Sequence, residues 1–276
     1  MTVEERQFLA HAKLAVIGCG NMGGALVRGL CSKGAIRSSQ VRIYDPDSGK
    51  TVELCKQLGV VAAQDAASAV GGADIILVAV KPKFVAEVLG GVSNVIASTG
   101  ISPFVMSVAG GVTLAELRRA LGDGCRIIRA MPNLPVLAGA GMTAVYAESP
   151  EDRHMGKALF EAVGKVIMVE NEAEFAPITG LSGCGPGFVS VIIEALADGG
   201  VRMGLARERA TQLAVQTVLG TALVMAEMKI HPAELKDMVA SPGGFTIAGL
   251  QVLENRGLRG ALISAVEAST QKPVER

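Results

Sequence analysis

The chain has no Trp, and Phe, Tyr and Trp together make up only 3% of its 276 residues. Without a set of exposed rings there is no platform on which bases could stack. Charge of either sign is not in excess, since 26 Lys and Arg face 26 Asp and Glu. A phosphate backbone or an anionic bilayer calls for a basic field that this balance does not supply. Neither nucleic acid nor a membrane is therefore expected as a partner. The five Cys (Cys19, Cys31, Cys55, Cys125, Cys184) are odd in number and form no CxxC pair, which argues against a disulfide scaffold or a zinc module. The three His (His11, His154, His231) have no clustered carboxylates around them, and no GxSxG elbow supports Ser-His-Asp hydrolysis. No uninterrupted apolar run reaches the ~20 residues of a membrane helix. The opening MTVEERQFLAHA lacks the apolar core of a signal peptide. A soluble protein of a reducing compartment, cytoplasmic, is expected.

What the chain does have is 34 Gly and a 50% share of hydrophobic residues, enough for a sizeable core. Short apolar runs alternate with helix-compatible stretches: Leu14–Ile17, Val41–Tyr44, Val60–Ala62, Ile75–Val80, Phe104–Val108, Ile127–Met131 and Val166–Val169. Ile75–Val80 is apolar on both faces, as a strand buried between two helical layers must be. Strands alternating with helices imply right-handed crossovers and a parallel sheet. From Glu172 onward the strand signals stop, and Ala, Leu and Gly recur at helical spacing with breaks at Gly180–Pro186, His231–Pro232 and Ser241–Gly244. The expected class is α/β: residues 1–170 form a doubly wound, dinucleotide-binding domain and residues 171–276 an all-α domain.

Gly18-Cys19-Gly20-Asn21-Met22-Gly23 follows the first strand and opens a helix. In that setting the first Gly permits a tight turn, the second admits a pyrophosphate against the backbone, and the third lets helix and strand pack closely. The helix N-terminus offers free N–H groups and a positive dipole end. Ile17 to Met22 are accordingly the candidate phosphate cradle. Asp45 ends the next strand, about 20 residues beyond Gly23, where an acid takes the ribose hydroxyls of a dinucleotide. A carboxylate there repels a 2′-phosphate by roughly 1–4 kcal/mol at ~4 Å. The cofactor is therefore expected to be NADH or NADPH, with NADH favoured.

Nothing in the chain marks a strong general acid. Hydride transfer to an already cationic carbon–nitrogen double bond does not need one; it needs position, an anchor for a carboxylate and a weak hydrogen-bond donor. Ser241-Pro242-Gly243-Gly244-Phe245-Thr246 can supply such an anchor, because its glycines expose consecutive N–H groups at a helix mouth.

These segments stand in a longer pattern. IGCGNMGGAL at 17–26, AVKP at 79–82, VAGGVTL at 108–114, RAMPNLP at 129–135, LSGCGPGFV at 181–189, EALADGGVRMGL at 194–205 and the stretch from His231 to Thr270 resemble, in order, the pyrroline-5-carboxylate reductases. The resemblance implies a Rossmann-type sheet followed by a helical dimerisation domain, and reduction of 1-pyrroline-5-carboxylate to L-proline. It places Ala79, Val80, Lys81, Pro82, Val108, Ala109 and Gly110 along the cofactor, with Thr179 approaching it from the helical domain. It assigns the substrate carboxylate to Ser241, Gly243, Gly244, Phe245 and Thr246, gives the Thr246 hydroxyl the ring nitrogen, and sets Glu172 near the substrate. The chain departs from the family at Cys184 and Phe188, where hydroxyls are usual, and at Phe245, where a small residue or Thr is usual.

The same residues bear on two rival readings. A β-hydroxyacid dehydrogenase needs a Lys where this chain has Val189. A scaffold that senses nucleotide without turnover has no use for an intact SPGG turn. The segment Ala210–Met228 is apolar round most of its circumference, so it must be covered on every side. A self-association through the helical domain follows from that patterning.

Overall fold

The computed structural model describes residues 2–100, 102–122 and 125–271. The last five residues of the expected helical domain lie outside that range. The chain forms two compact units, one reaching Gly183 and joined by the segment from Ser269, the other spanning Cys184–Ala268.

The first unit is built on an eight-stranded sheet with strands β1 (Leu14–Ile17), β2 (Val41–Tyr44), β3 (Val61–Ala62), β4 (Ile75–Val78), β5 (Phe104–Ser107), β6 (Arg126–Met131), β7 (Gly141–Tyr146) and β8 (Gly164–Met168). Their spatial order is β3-β2-β1-β4-β5-β6-β7-β8. The first six follow the 3-2-1-4-5-6 arrangement of dinucleotide-binding sheets, with the reversal of order between β1 and β4. All pairings are parallel except β6 with β7, where Arg129 opposes Tyr146 and Met131 opposes Ala144. The all-parallel sheet expected from the alternation is thus corrected at β7. GMTAVY has no long apolar run to announce it, and the antiparallel return is set by pairing with β6.

Helices cover both faces, and the strand period of two decides which residue goes where. Leu14, Val16, Leu77 and Met106 face α1 (Val3–His11), α2 (Asn21–Ser32), α3 (Ser48–Leu58) and α7 (Pro150–Glu161), whose Leu9, Leu26, Leu54 and Phe160 complete one core. Ala15, Ile17, Ile76 and Val105 face the other way, towards α4 (Ala66–Val70), α5 (Val85–Thr99) and α6 (Leu114–Leu121), meeting Val70, Leu89, Val92 and Leu117. At about 25 cal/mol per Å² these two apolar layers supply the main stabilisation of the unit. Thr113 caps α6 in a reciprocal box with Glu116.

Residues 172–183 belong with the sheet, not with the helices beyond them. Phe175 on α8 (Phe175–Ile178) is buried against Ala144 and Val169. After α8 the backbone widens into a single π turn, Thr179–Gly183.

The second unit holds α9 (Gly185–Arg202), α10 (Arg207–Met228), α11 (Pro232–Met238), α12 (Phe245–Asn255) and α13 (Leu258–Gln271), the last reaching into the segment from Ser269. His231 caps α11, its Nδ1 accepting the Ala233 N–H at 3.2 Å, which is the helix-start role its place before Pro232 suggests. Inside the unit α9 and α10 pack through Ala197, Ala210 and Ala214. Leu213, Leu219, Leu223 and Met228 of α10 remain exposed. Glu172–Arg202 is a continuous helical run of 31 residues, long and apolar enough by length and composition to cross a membrane, and 6% of its most apolar window is buried. Between Glu174 and Glu194 the run carries no charge, and Thr179, Ser182, Pro186, Ser190 and four Gly break its apolar stretches.

Candidate active site

The glycine turn takes the shape its spacing requires. Gly18 has φ +97°, and a Cβ there would lie 2.6 Å from the Ala79 carbonyl oxygen. At Gly23 an added Cβ would come within 1.9 Å of the Gly18 oxygen, so only Gly lets α2 press against the turn. Gly20 is different: its backbone is extended and nothing lies within 4 Å of where a Cβ would point. That open side, facing the first turn of α2, is the cradle a phosphate fits. The turn from Gly18 to Met22 therefore has a shape that a dinucleotide's phosphates would fit, and Ile17 is buried beneath it at the strand end.

Asp45 does not present a free carboxylate. Its Oδ2 accepts the Cys19 N–H at 2.8 Å and its Oδ1 accepts the Asp47 N–H at 2.9 Å. Lys50 Nζ lies 3.4 Å from the same Oδ1 and 3.5 Å from Asp47, and only 8% of the Asp45 side chain is exposed. The carboxylate holds the Lys50 ammonium above its usual range. Cys19 points its thiol at the Tyr44 carbonyl, and burial, helped by the Asp45 charge, pushes it up to about 12. The thiol is inert, as its lack of a base suggests.

The loops at the carboxyl ends of β4 and β5 complete this edge. The Ala79 N–H bonds Ile17 O at 2.8 Å and the Val108 N–H bonds Val78 O at 3.0 Å, so both loops leave the sheet in register with the glycine turn. Ala79, Val80 and Pro82 are half-buried and Lys81 is exposed; Val108 and Ala109 are buried and Gly110 is half-buried. A cavity of about 430 Å³ flanks the two loops, lined by Pro82, Lys83, Gly111, Val112, Glu116 and Arg119 among others.

Glu172 and Thr179 are held within the first unit by their own contacts. Glu172 Oε1 accepts the Leu114 N–H at 2.9 Å and pairs with Arg129, a buried guanidinium stacked 4.2 Å over the Phe175 ring. The Thr179 hydroxyl donates to Phe175 O at 2.7 Å. Asn133 ties the π turn down, donating to Ser182 O at 3.2 Å while its Oδ1 accepts the Met142 N–H at 2.8 Å. Arg129 and Asn133 had stood in the sequence only as part of the RAMPNLP block. Their long-range partners, more than forty positions away for Glu172 and Ser182, leave no local signal.

Ser241, Gly243, Gly244, Phe245 and Thr246 stand together in the second unit. The Gly244 N–H bonds Ser241 O at 3.0 Å, Gly243 has φ +64°, and Gly244 caps α12. The turn thus opens α12 with free amides, and the Thr246 hydroxyl has no hydrogen-bond partner among the described residues. Phe245 is fully exposed, so the ring that departs from the family pattern does not fill the turn. Among the described residues no group of three or more His, Cys, Asp or Glu could hold a metal.

Comparison with known proteins agrees with this division of labour. Residues 172–276 match the pyrroline-5-carboxylate reductase dimerisation model, and residues 13–102 match the model described as NADP oxidoreductase coenzyme F420-dependent. The pyrroline-5-carboxylate reductase of Escherichia coli K12 is 41% identical over 94% of this chain and 96% of its own length. The chain belongs to the pyrroline-5-carboxylate reductase family. The Synechocystis enzyme of that name is also 41% identical, over 95% of this chain and 97% of its own. Among solved structures, the Coxiella burnetii reductase superposes with a TM-score of 0.83 at 32% identity, covering 94% of this chain and 96% of that one. The Plasmodium falciparum pyrroline carboxylate reductase, solved with NADP bound, gives 0.85 at 29% identity, covering 95% of this chain and 97% of that one. Membership of this family makes the chain an oxidoreductase that uses a nicotinamide cofactor, with a helical self-association domain.

Proposed function

We propose that this protein reduces 1-pyrroline-5-carboxylate to L-proline with NADH or NADPH. The observation that carries the reading is the SPGG turn at the mouth of α12, a carboxylate seat with a free hydroxyl in the helix's first turn, in a chain related over nearly its whole length to enzymes of that name. A bound reduced nicotinamide supplies the hydride. The protein's own residues bind and orient. Gly18, Cys19, Gly20, Asn21 and Met22 hold the pyrophosphate, and Ala79 to Pro82, Val108 to Gly110 and Thr179 flank the ribose and nicotinamide. Amides of Gly243, Phe245 and Thr246 hold the substrate carboxylate, with Ser241 and Gly244 shaping the turn through the bond from the Gly244 N–H to Ser241 O. Thr246 is the catalytic residue: its hydroxyl hydrogen-bonds the ring nitrogen and fixes the face presented for reduction. The cyclic imine carries its proton on nitrogen, so no group here has to deliver one in the reducing step.

NADH is the favoured cofactor in this reading, by a smaller margin than a bare Asp45 would give. Lys50 offsets the Asp45 charge, and a 2′-phosphate would meet an ammonium as well as the carboxylate. The working state is a cytoplasmic homodimer formed through the exposed faces of α9 and α10. The test is direct: purified protein oxidises NADH or NADPH far faster with pyrroline-5-carboxylate than without it, while light scattering reports a dimer or a multiple of one. Oxidation at the background rate with both cofactors would sink the reading.

A further inference from the structure

Arg129 lies on β6, paired with Ser107 at the end of β5, and is 6% exposed. A guanidinium cannot shed its proton to escape such a site, so a carboxylate has to meet it. Glu172 does, and the same Oε1 reaches the N–H of Leu114, the first residue of α6. The loop that leads into α6 is the one carrying Val108, Ala109 and Gly110. On its other side the Arg129 guanidinium lies over the Phe175 ring, and the Phe175 carbonyl takes the Thr179 hydroxyl. One charge pair, its Arg129 buried and its Glu172 half-buried, therefore touches the supports of two separate segments that flank the nicotinamide in the functional reading above.

We propose that Arg129 and Glu172 form a positioning pair that sets the β5–α6 loop through Leu114 and the Thr179 turn through Phe175, so that Glu172 acts on the cofactor's seat and not on the substrate. The inference rests on the placement of Val108–Gly110 and Thr179 along the cofactor. A competing role exists for the same carboxylate: Oε2 has no hydrogen-bond partner among the described residues and could contact a substrate directly.

Glu172→Gln keeps the acceptor for Leu114 but removes the charge, Arg129→Met keeps bulk without the donor, and Arg129→Lys keeps the charge without the fork. Cofactor dissociation constants are read by fluorescence titration of NADH and NADPH without substrate, alongside kcat, the KM for pyrroline-5-carboxylate and thermal unfolding. The pair acting on the cofactor's seat raises the cofactor constants about tenfold or more in Glu172→Gln and Arg129→Met, since small displacements of a support are felt strongly. The KM for the imine stays within about twofold at saturating cofactor, and Arg129→Lys recovers part of the loss. Unchanged cofactor binding with a raised imine KM would make Glu172 a substrate contact and overturn the proposal. A lowered melting temperature with both affinities intact would overturn it too, leaving a purely structural pair. Should Arg129→Met not fold, the half-exposed, isosteric Glu172→Gln carries the same readings. The cofactor titration needs no imine, so failure of the wild-type reaction would count against the functional reading alone.

Discussion

Asp45 Oδ2 accepts the backbone N–H of Cys19 at 2.8 Å, a contact between the end of β2 and the middle of the glycine turn on β1. The same carboxylate takes the Asp47 N–H, so both of its oxygens face backbone. A residue whose spacing marks it for the ribose thus also shapes the phosphate seat. Charge-assisted bonds to amides of this kind contribute about 1.5–3 kcal/mol.

Asp45→Ser is expected to weaken NADH and NADPH together, because the turn loses its latch whichever cofactor is offered. The ratio of the two affinities shifts towards NADPH by less than about tenfold, the equivalent of ~1.4 kcal/mol, since Lys50 already offsets the lost charge. Titration of both cofactors on the variant decides this. A full reversal of preference with NADH binding intact would show that the carboxylate acts on the ribose alone.

The three glycines of the turn should separate cleanly in mutagenesis. Gly23→Ala drives a methyl to 1.9 Å from the Gly18 oxygen and should lower the melting temperature by several degrees or prevent folding. Gly20→Ala meets no protein atom within 4 Å and should leave the melting temperature nearly unchanged while cofactor binding falls steeply. Calorimetry paired with a cofactor titration reads both. Intact binding in Gly20→Ala would place the phosphates elsewhere.

Cys19 should make stability fall with alkaline pH. Its thiol is raised in the folded state to about 12 from about 9, so the native protein holds the proton more tightly than the unfolded chain does. The contribution is complete below pH 9 and is lost as pH climbs towards 12, a decline of up to about 4 kcal/mol. Denaturant unfolding at several pH values should show a steeper alkaline decline in the wild type than in Cys19→Ala. Parallel curves would show that burial does not hold the thiol protonated.

Thr246→Ala is expected to lower kcat/KM for the imine by about two- to tenfold, matching the 0.5–1.5 kcal/mol of a neutral hydrogen bond. Cofactor binding and melting temperature should not move, because the hydroxyl has no hydrogen-bond partner among the described residues. Undiminished turnover would pass the orienting role to another donor.

Local signals made much of this molecule legible. The two-sided apolarity of Ile75–Val78 announced a buried strand, and Gly18, Gly20 and Gly23 each meet the demand their spacing set. The reach of a side chain across the fold was not legible in the same way. That Asp45 turns inward to Cys19, that Arg129 finds Glu172, and that Asn133 pins the π turn all depend on partners brought close only by the sheet. β7 escaped notice because six residues of mixed polarity between glycine-rich segments carry no strong period, and its direction is fixed by its neighbour. The compact units divide between Gly183 and Cys184, while the family's dimerisation model begins at residue 172. Residues 172–183 have helical composition, yet Phe175 is buried against Ala144 and Val169.

Of the residues in Cys184–Ala268, the buried hydrophobic ones are Ala197, Ala210 and Ala214 alone among those described. The sheet-bearing unit, by contrast, closes two apolar layers within a single chain. During synthesis the sheet and the segments up to Gly183 leave the ribosome before the helical part does. In the dimer proposed above, a second copy covers the helical part, which makes the final stage of folding depend on how many chains are present. Dilution, or expression alongside a chain truncated before α9, should therefore lengthen the time that apolar helices spend open to chaperones and proteases.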